Sequence, residues 1–406
     1  MREKYGILYC IAWRFALGGT FMNYRINPKN NDKISLLAFG CMRFPKDFSA
    51  CEQMVVKAVE KGVNYFDTAY VYSGSEVMLG RILEKNNLRD KIFIADKLPA
   101  FLVKKAPDFD KYLKIQLERL KTNYIDYYLM HMLTSPKSWE RLVGLGIIEW
   151  LEEKKKAGVL KNVGFSYHGG ADDFKTLIDA YDWDFTMIQY NYFDVHNQAG
   201  KGGLLYAAEK NIPVMIMEPL RGGRLVSKLP AQAAELLSGL TPKHTPAEWA
   251  FRWIYSHNEV LTVLSGMNSL EVLENNIETA SGGDSYELTK EQEDAFVKAR
   301  EFISETMKIP CTGCNYCMPC KNKVDIALCF TFCNDIALDG KFAARLNYAM
   351  RAWGRRASLC TGCGDCEQRC PQGIEIRENL KIVKKKMEGG LFRPFGALIR
   401  KLIKSS

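Results

Sequence analysis

Phe66-Asp67-Thr68-Ala69-Tyr70-Val71-Tyr72 is an apolar run that stops at a carboxylate and then presents two phenols. It reads as the end of a strand opening into a polar site. Lys97 and His131 stand at the ends of the next two strand-like runs, so three successive strands bring Asp, Tyr, Lys and His to one rim.

Outward from this rim, short β-rich apolar runs alternate with amphipathic stretches at helical spacing, the pattern of βα units around a parallel sheet. Eight strands are expected: Ile34 to Gly40, Val63 to Phe66, Lys91 to Asp96, Ile125 to Met130, Leu160 to Phe165, Phe185 to Gln189, Pro213 to Met217 and Leu261 to Ser265. Helices are expected between them, among others at Ser75 to Glu84, Phe109 to Lys121, Trp139 to Lys156 and Pro246 to His257. Eight units in about 250 residues match a (β/α)8 TIM barrel. A doubly wound sheet would carry a GxGxxG loop after its first strand, and Gly40-Cys41-Met42-Arg43 is not one. Gly62, Gly158 and Asn211 fall where left-handed helix C-caps belong.

The chain has 406 residues, 47% of them apolar, and a formal charge of +9. Acidic and basic residues alternate through most of it, so no broad nucleic-acid face is implied. Of thirteen cysteines, ten lie between Cys311 and Cys370, mostly two or three residues apart, which points to metal ligation in a reducing compartment, the cytoplasm. The apolar stretch Gly6 to Gly18 is short and carries Arg14, so no transmembrane segment is expected.

Five regions follow. Residues 1–21 read as a misassigned start or disordered arm, with Met22 as the true start and Gly18-Gly19-Thr20 as a translated ribosome-binding trace; the rival is a membrane-adhering arm. The barrel occupies 22–283. A helical connector, 284–308, opens with a Thr289 and Gln292 capping pattern. The cysteine module covers 309–380, and 381–406 is a basic tail, read as a solvated end helix rather than a membrane-surface contact.

In a barrel the reacting groups sit where strands end, which nominates Asp67, Tyr72, Lys97 and His131. A lysine beside a phenol lowers its pKa and makes it a usable proton donor and acceptor, and Asp67 would hold that lysine. Each residue alone is more often a packed strand-end residue than a functional one. Four compatible types in register are not.

These residues resemble the aldo-keto reductases, whose barrel carries an Asp, Tyr, Lys, His tetrad in this order. The resemblance runs from Asn23 to Ala280, through Phe39-Gly40-Cys41-Met42-Arg43-Phe44-Pro45, Asp67-Thr68-Ala69, Gly164-Phe165-Ser166 and Glu218-Pro219-Leu220. It implies hydride transfer from a nicotinamide to a small carbonyl compound, with Tyr72 protonating the alkoxide, His131 orienting the carbonyl oxygen, Lys97 and Asp67 tuning Tyr72, and Tyr70 serving as wall. It further implies that Ser166 and Gln189 hold the nicotinamide amide, that Ser265, Gly266 and Met267 open the last helix toward a phosphate, and that Asn276 lies on the adenine side. That last loop holds no cation and leaves NADP or NAD open. Met217-Glu218 stands where many relatives stack an aromatic ring, and Arg221 and Arg224 are either pyrophosphate ligands or surface arginines.

Cys360-x2-Cys363-x2-Cys366-x3-Cys370-Pro371 is the bacterial ferredoxin run for a [4Fe-4S] cluster. Cys311, Cys314, Cys317 and Cys320 form a second set, one residue shorter, and Cys-Thr-Gly-Cys-x-x-Cys recurs at 311 and 360. Crossed ligation gives Cys311, Cys314, Cys317 and Cys370 to one cluster and Cys360, Cys363, Cys366 and Cys320 to the other, with Cys329 and Cys333 spare. Structural zinc is the rival, though zinc sites pair two CxxC knuckles rather than offering three ligands within seven residues. The fold class is thus α/β: a (β/α)8 TIM barrel followed by a small α-helical ferredoxin-like iron-sulfur domain. The layout resembles a subgroup of aldo-keto reductase-like proteins with such a C-terminal domain. It implies two [4Fe-4S] clusters and a ferredoxin-like electron carrier as partner. The rival reading is a ferredoxin-type electron-transfer protein or redox sensor with the barrel as scaffold.

Overall fold

The computed structural model describes residues 22–281 and 286–389. The arm at 1–21, the domain junction at 283 and the tail beyond 389 lie outside the described residues.

An antiparallel hairpin of β1 (Tyr24–Ile26) and β2 (Lys33–Ser35) precedes eight parallel strands: β3 (Leu37–Gly40), β4 (Tyr65–Asp67), β5 (Phe93–Leu98), β6 (Ile125–Leu133), β7 (Leu160–Tyr167), β8 (Phe185–Gln189), β9 (Val214–Met217) and β10 (Val260–Ser265). These eight close into a barrel, β10 pairing with both β3 and β9. The strand expected over Ile34 to Gly40 is therefore two. Its first half pairs with β1, the chain turns at Leu36, whose N–H donates to Asn23 O at 2.8 Å, and its second half enters the barrel. A continuous apolar run does not reveal where it changes partner.

The hairpin closes one end of the barrel. Tyr127 Oη donates to Asp32 Oδ2 at 2.6 Å, and Asn27 Nδ2 reaches the same phenol at 3.2 Å. Above this floor the interior is filled by Tyr65, Tyr127 and Phe185, whose ring centroids stand 5.2 and 5.0 Å apart in sequence. A filled interior leaves only the far mouth for chemistry.

The helix expected over Trp139 to Lys156 is broken into Pro136–Val143 and Ile147–Lys156, because Gly146 takes φ +82° between them. Gly62, Gly158 and Asn211 all have positive φ at helix ends, as expected. The connector helix Lys290–Thr306 carries the anticipated capping box.

Beyond it, helices Ile326–Asp339, Lys341–Ala352 and Ile376–Met387 build a second core around Phe330, Phe332, Tyr348 and Leu380. The last helix crosses the 380 boundary drawn from sequence, since Val383 and Met387 also pack inside. Among the described residues no helix is long and apolar enough to cross a membrane.

Candidate active site

Asp67 ends β4 and Lys97 lies in β5, one strand over. Lys97 Nζ donates to both Asp67 carboxylate oxygens and to Thr68 O, each at 2.6 Å, and both side chains are buried. The ammonium stands 5.0 Å from the Tyr72 ring centroid, and the His131 ring meets Tyr72 edge-on at 6.0 Å. The four expected residues thus share one pocket. A turn carries Tyr72 there: Tyr72 N–H donates to Ala69 O at 2.9 Å, and Ser75 Oγ ties the turn to Thr68 Oγ1 at 2.8 Å and Cys41 O at 3.1 Å. Tyr70 points away, packed on Tyr112 at 4.9 Å and under Arg119 at 4.7 Å.

His131 owes its aim to an irregularity. The β6–β7 register slips between Met130 and Leu133, and Met132 adopts φ +60° with its N–H donating to Ser166 Oγ at 2.8 Å. A bulge at a barrel rim re-aims a side chain in this way, and a non-glycine residue in the left-handed region stores strain there.

Sequence reasoning missed what fills the pocket. Tyr316, between Cys314 and Cys317, places its hydroxyl 2.8 Å from His131 Nε2 and adjoins Tyr72. Its ring centroid lies 5.8 Å from His131 and 6.1 Å from His168. The one legible hint is an aromatic residue inside the Cys-x-x-Cys-x-x-Cys run.

Burial, then the Asp67 carboxylate, raises the Tyr72 phenol above its ordinary pKa, while Tyr316 acts the other way. The lowering expected from Lys97 does not prevail, because burial is the largest effect on this phenol. Tyr72 is a neutral phenol, in its proton-donating form. Burial, then Lys97 and His168, holds His131 well below its usual range, so its imidazole is neutral at pH 7. Burial likewise pushes His168 down to about 4 and Glu218 up to about 7.

The residues expected to hold a nicotinamide cofactor are satisfied from within the protein. Gln189 Nε2 donates to Asp194 Oδ2 at 2.8 Å, and its Oε1 accepts from Gln372 Nε2 at 2.6 Å and Gln198 Nε2 at 3.0 Å. Ser166 serves Met132, and Asn276 Nδ2 donates to Ser265 Oγ at 2.9 Å. At the loop of Ser265, Gly266 and Met267, a cation does arrive, from another strand end. Arg43 donates to Gly222 O at 3.3 Å, and its Cδ would stand 3.2 Å from a Cβ on Gly266. Arg221 and Arg224 are neither pyrophosphate ligands here nor free surface groups. Arg221 is buried, donating to Pro310 O at 2.8 Å beside Asp194 at 3.2 Å, and Arg224 pairs with Asp335 at 3.6 Å. As it stands, the mouth does not fit a nicotinamide, because the module takes the partners.

None of the eight module cysteines is paired in a disulfide. Burial, then Cys311, Cys314, Cys370 and Cys366, raises the pKa of the Cys317 thiol, so Cys317 has neighbours from both sets. Cys317, Cys320, Cys360, Cys363 and Cys366 line a single cavity. Among the described residues no three His, Cys, Asp or Glu side chains are arranged to hold one metal ion. A [4Fe-4S] cube gives each thiolate its own iron, so its ligands stand farther apart than those around one ion. The eight thiols supply that donor type, and their division between two clusters rests on the sequence spacing.

A family model described as "Aldo/keto reductase family" matches residues 36–299. The chain is 24% identical over 212 residues to the NADP(+) aldo-keto reductase yakc of Schizosaccharomyces pombe, a match covering 48% of this chain and 61% of that relative. It is 25% identical over 285 residues to the uncharacterized oxidoreductase YqkF of Bacillus subtilis, covering 61% and 88%. Among solved structures, the holo form of aldo-keto reductase AKR11C1 from Bacillus halodurans superposes with a TM-score of 0.58 at 24% identity, covering 68% of this chain and 96% of that one.

Proposed function

The chain belongs to the aldo/keto reductase family, and from that premise we propose that it is a cytoplasmic oxidoreductase that reduces a small carbonyl compound at the Tyr72 pocket, with two [4Fe-4S] clusters in its C-terminal module. NADP(H) use is expected for aldo-keto reductases. The observation that carries the reading is the Lys97 ammonium bound to both Asp67 oxygens beneath the Tyr72 ring, with neutral His131 facing the same point.

Each residue has a defined task. Tyr72 Oη, held protonated by burial and Asp67, gives its proton to the oxygen that gains negative charge. His131 Nε2, which bonds a phenol oxygen in this structure, is placed to hold that oxygen in line with Tyr72. Lys97 steadies the phenolate left behind, at the low effective dielectric of a buried site. Asp67 and Thr68 O position Lys97. Cys311, Cys314, Cys317 and Cys370 would hold one cluster and Cys320, Cys360, Cys363 and Cys366 the other. Such clusters supply single electrons when bound, and a ferredoxin-like carrier is the partner of matching chemistry.

One observation favours a second reading, an electron-transfer protein or redox sensor built on a silent barrel: Tyr316 fills the carbonyl's place. Anaerobically purified protein assayed for iron, for a dithionite-reduced EPR signal and for NADPH-driven reduction of a panel of aldehydes and ketones separates the two. Iron-replete protein that turns over no carbonyl, with NADPH or with a reduced ferredoxin, leaves the second reading standing.

A further inference from the structure

The cysteine module meets the barrel at the catalytic pocket and at the rim beside it through two short segments, and beyond them through Arg221 on Pro310 O and Arg224 and Lys228 on Asp335. Tyr316 enters the first and bonds His131 beside Tyr72, the two groups that any substrate oxygen would need. Pro371 and Gln372 enter the second. Gln372 Nε2 donates to Gln189 Oε1 at 2.6 Å and its Oε1 accepts from Asn197 Nδ2 at 3.0 Å, while Pro371 O accepts from Gln198 Nε2 at 3.0 Å. Tyr316 and Gln372 turn their side chains to the barrel, while Cys317, Met318 and Cys370 beside them pack on the module's own core.

The same two segments carry the first cysteine grouping. Tyr316 stands between Cys314 and Cys317, and Gln372 is two residues past Cys370. In the crossed arrangement Cys314 and Cys317 share a cluster with Cys370, so ligation there would clamp the two inserting segments together.

We propose that the module is a gate on the barrel: Tyr316 and Gln372 exclude carbonyl and nicotinamide from the mouth, and the first cysteine set, when ligated, latches both segments in place. Binding at the mouth then requires the module to withdraw. Apparent affinity for a nicotinamide is reduced by the fraction of molecules that are closed. The gate rests on side-chain geometry alone, whereas the latch rests on the cluster reading given above.

The test measures NADPH affinity by titration calorimetry on the full chain, purified without air, with iron counted on the same samples. Tyr316→Ala, Gln372→Ala and the double variant are compared with wild type, and wild type is also compared before and after iron removal by a chelator. The expected result is NADPH binding tighter by about tenfold or more in the double variant, at unchanged iron content. Equal affinity in wild type and the double variant overturns the gate, as does failure of both to bind NADPH.

Hydrogen exchange of wild type supplies a second measurement that needs no variant. Saturating NADPH should deprotect residues 311–320 and 368–374, and unchanged protection with NADPH bound overturns the gate. Chelated wild type that binds like the double variant supports the latch, and chelated protein that stays closed overturns it. Protein that contains no iron as purified overturns the cluster reading and the latch with it, while the variants still decide the gate.

Discussion

Tyr316 Oη and His131 Nε2 lie 2.8 Å apart although 185 positions separate them in the chain. One belongs to a cysteine loop and the other to a bulged strand end. The bond makes the reaction pocket of the barrel and the cysteine module one structural unit, and the Gln372 to Gln189 bond at 2.6 Å repeats the link at the neighbouring strand end. Predictions about the chemistry and about the module are therefore coupled, and each can be read separately only with a well-chosen substitution.

Tyr72→Phe removes the proton donor and keeps the ring that packs on His131. Carbonyl reduction should fall by about 10²- to 10⁴-fold, the usual worth of a positioned general acid. The thermal transition should stay close to that of wild type. Tyr70→Phe, whose ring sits against Tyr112 and Arg119 outside the pocket, should leave the rate unchanged. Steady-state kinetics on both variants decides between the two phenols.

Lys97→Met leaves the Asp67 carboxylate buried without its partner. Breaking a buried pair from one side costs about 3–5 kcal/mol, so denaturant midpoints should drop sharply. Adding Asp67→Asn to that variant removes the stranded charge and should restore a large part of the stability. Activity should not return, because the charge beside Tyr72 is still missing. A double-mutant cycle in urea, read together with the rate, separates the structural from the chemical role of the pair.

How far the sequence led can be judged at particular residues. The barrel was legible because eight apolar runs alternate with helical periods, and seven of those runs keep roughly their expected places. The tetrad was legible because strand ends fix position. The run over Ile34 to Gly40 misled because a partner change in mid-strand leaves no periodic trace. The Tyr72 pKa misled because proximity to Lys97 says nothing of how deeply the phenol is buried, and burial is the largest effect on it. Tyr316, Gln372 and Arg43 were out of reach for a different reason: each acts through a contact between segments more than a hundred residues apart, which no local pattern encodes.

The cysteine assignments predict a pattern of iron loss. Cys311→Ala and Cys370→Ala should each remove the same half of the iron, and Cys360→Ala and Cys320→Ala the other half. Cys329→Ala should remove none. Its thiol is buried, its pKa is pushed up to about 12 chiefly by burial, and it contacts Tyr348 Oη at 3.7 Å and Arg355 O at 3.6 Å as a core residue. Iron analysis with EPR of the reduced proteins reads the pattern. Equal loss from Cys329→Ala and Cys320→Ala would reassign the fourth ligand.

His168 predicts how stability follows pH. Burial lowers its pKa from 6.5 to about 4 in the folded chain, and the unfolded chain recovers the ordinary value. Between those values the unfolded state binds more protons, so stability is complete above pH 6.5 and declines as the pH falls toward 4. The full loss from this one group is about 3 kcal/mol at 1.36 kcal/mol per pKa unit. His131, also held low by burial, adds to the decline in the same direction. His168→Gln should remove the His168 share and flatten the profile between pH 6.5 and 4, with little effect at pH 8. Because His168 faces Tyr316, the acid-induced loss should open residues 311–320 to hydrogen exchange before the barrel strands. Strands and cysteine loop exchanging together at pH 5 would show that His168 acts on global stability only.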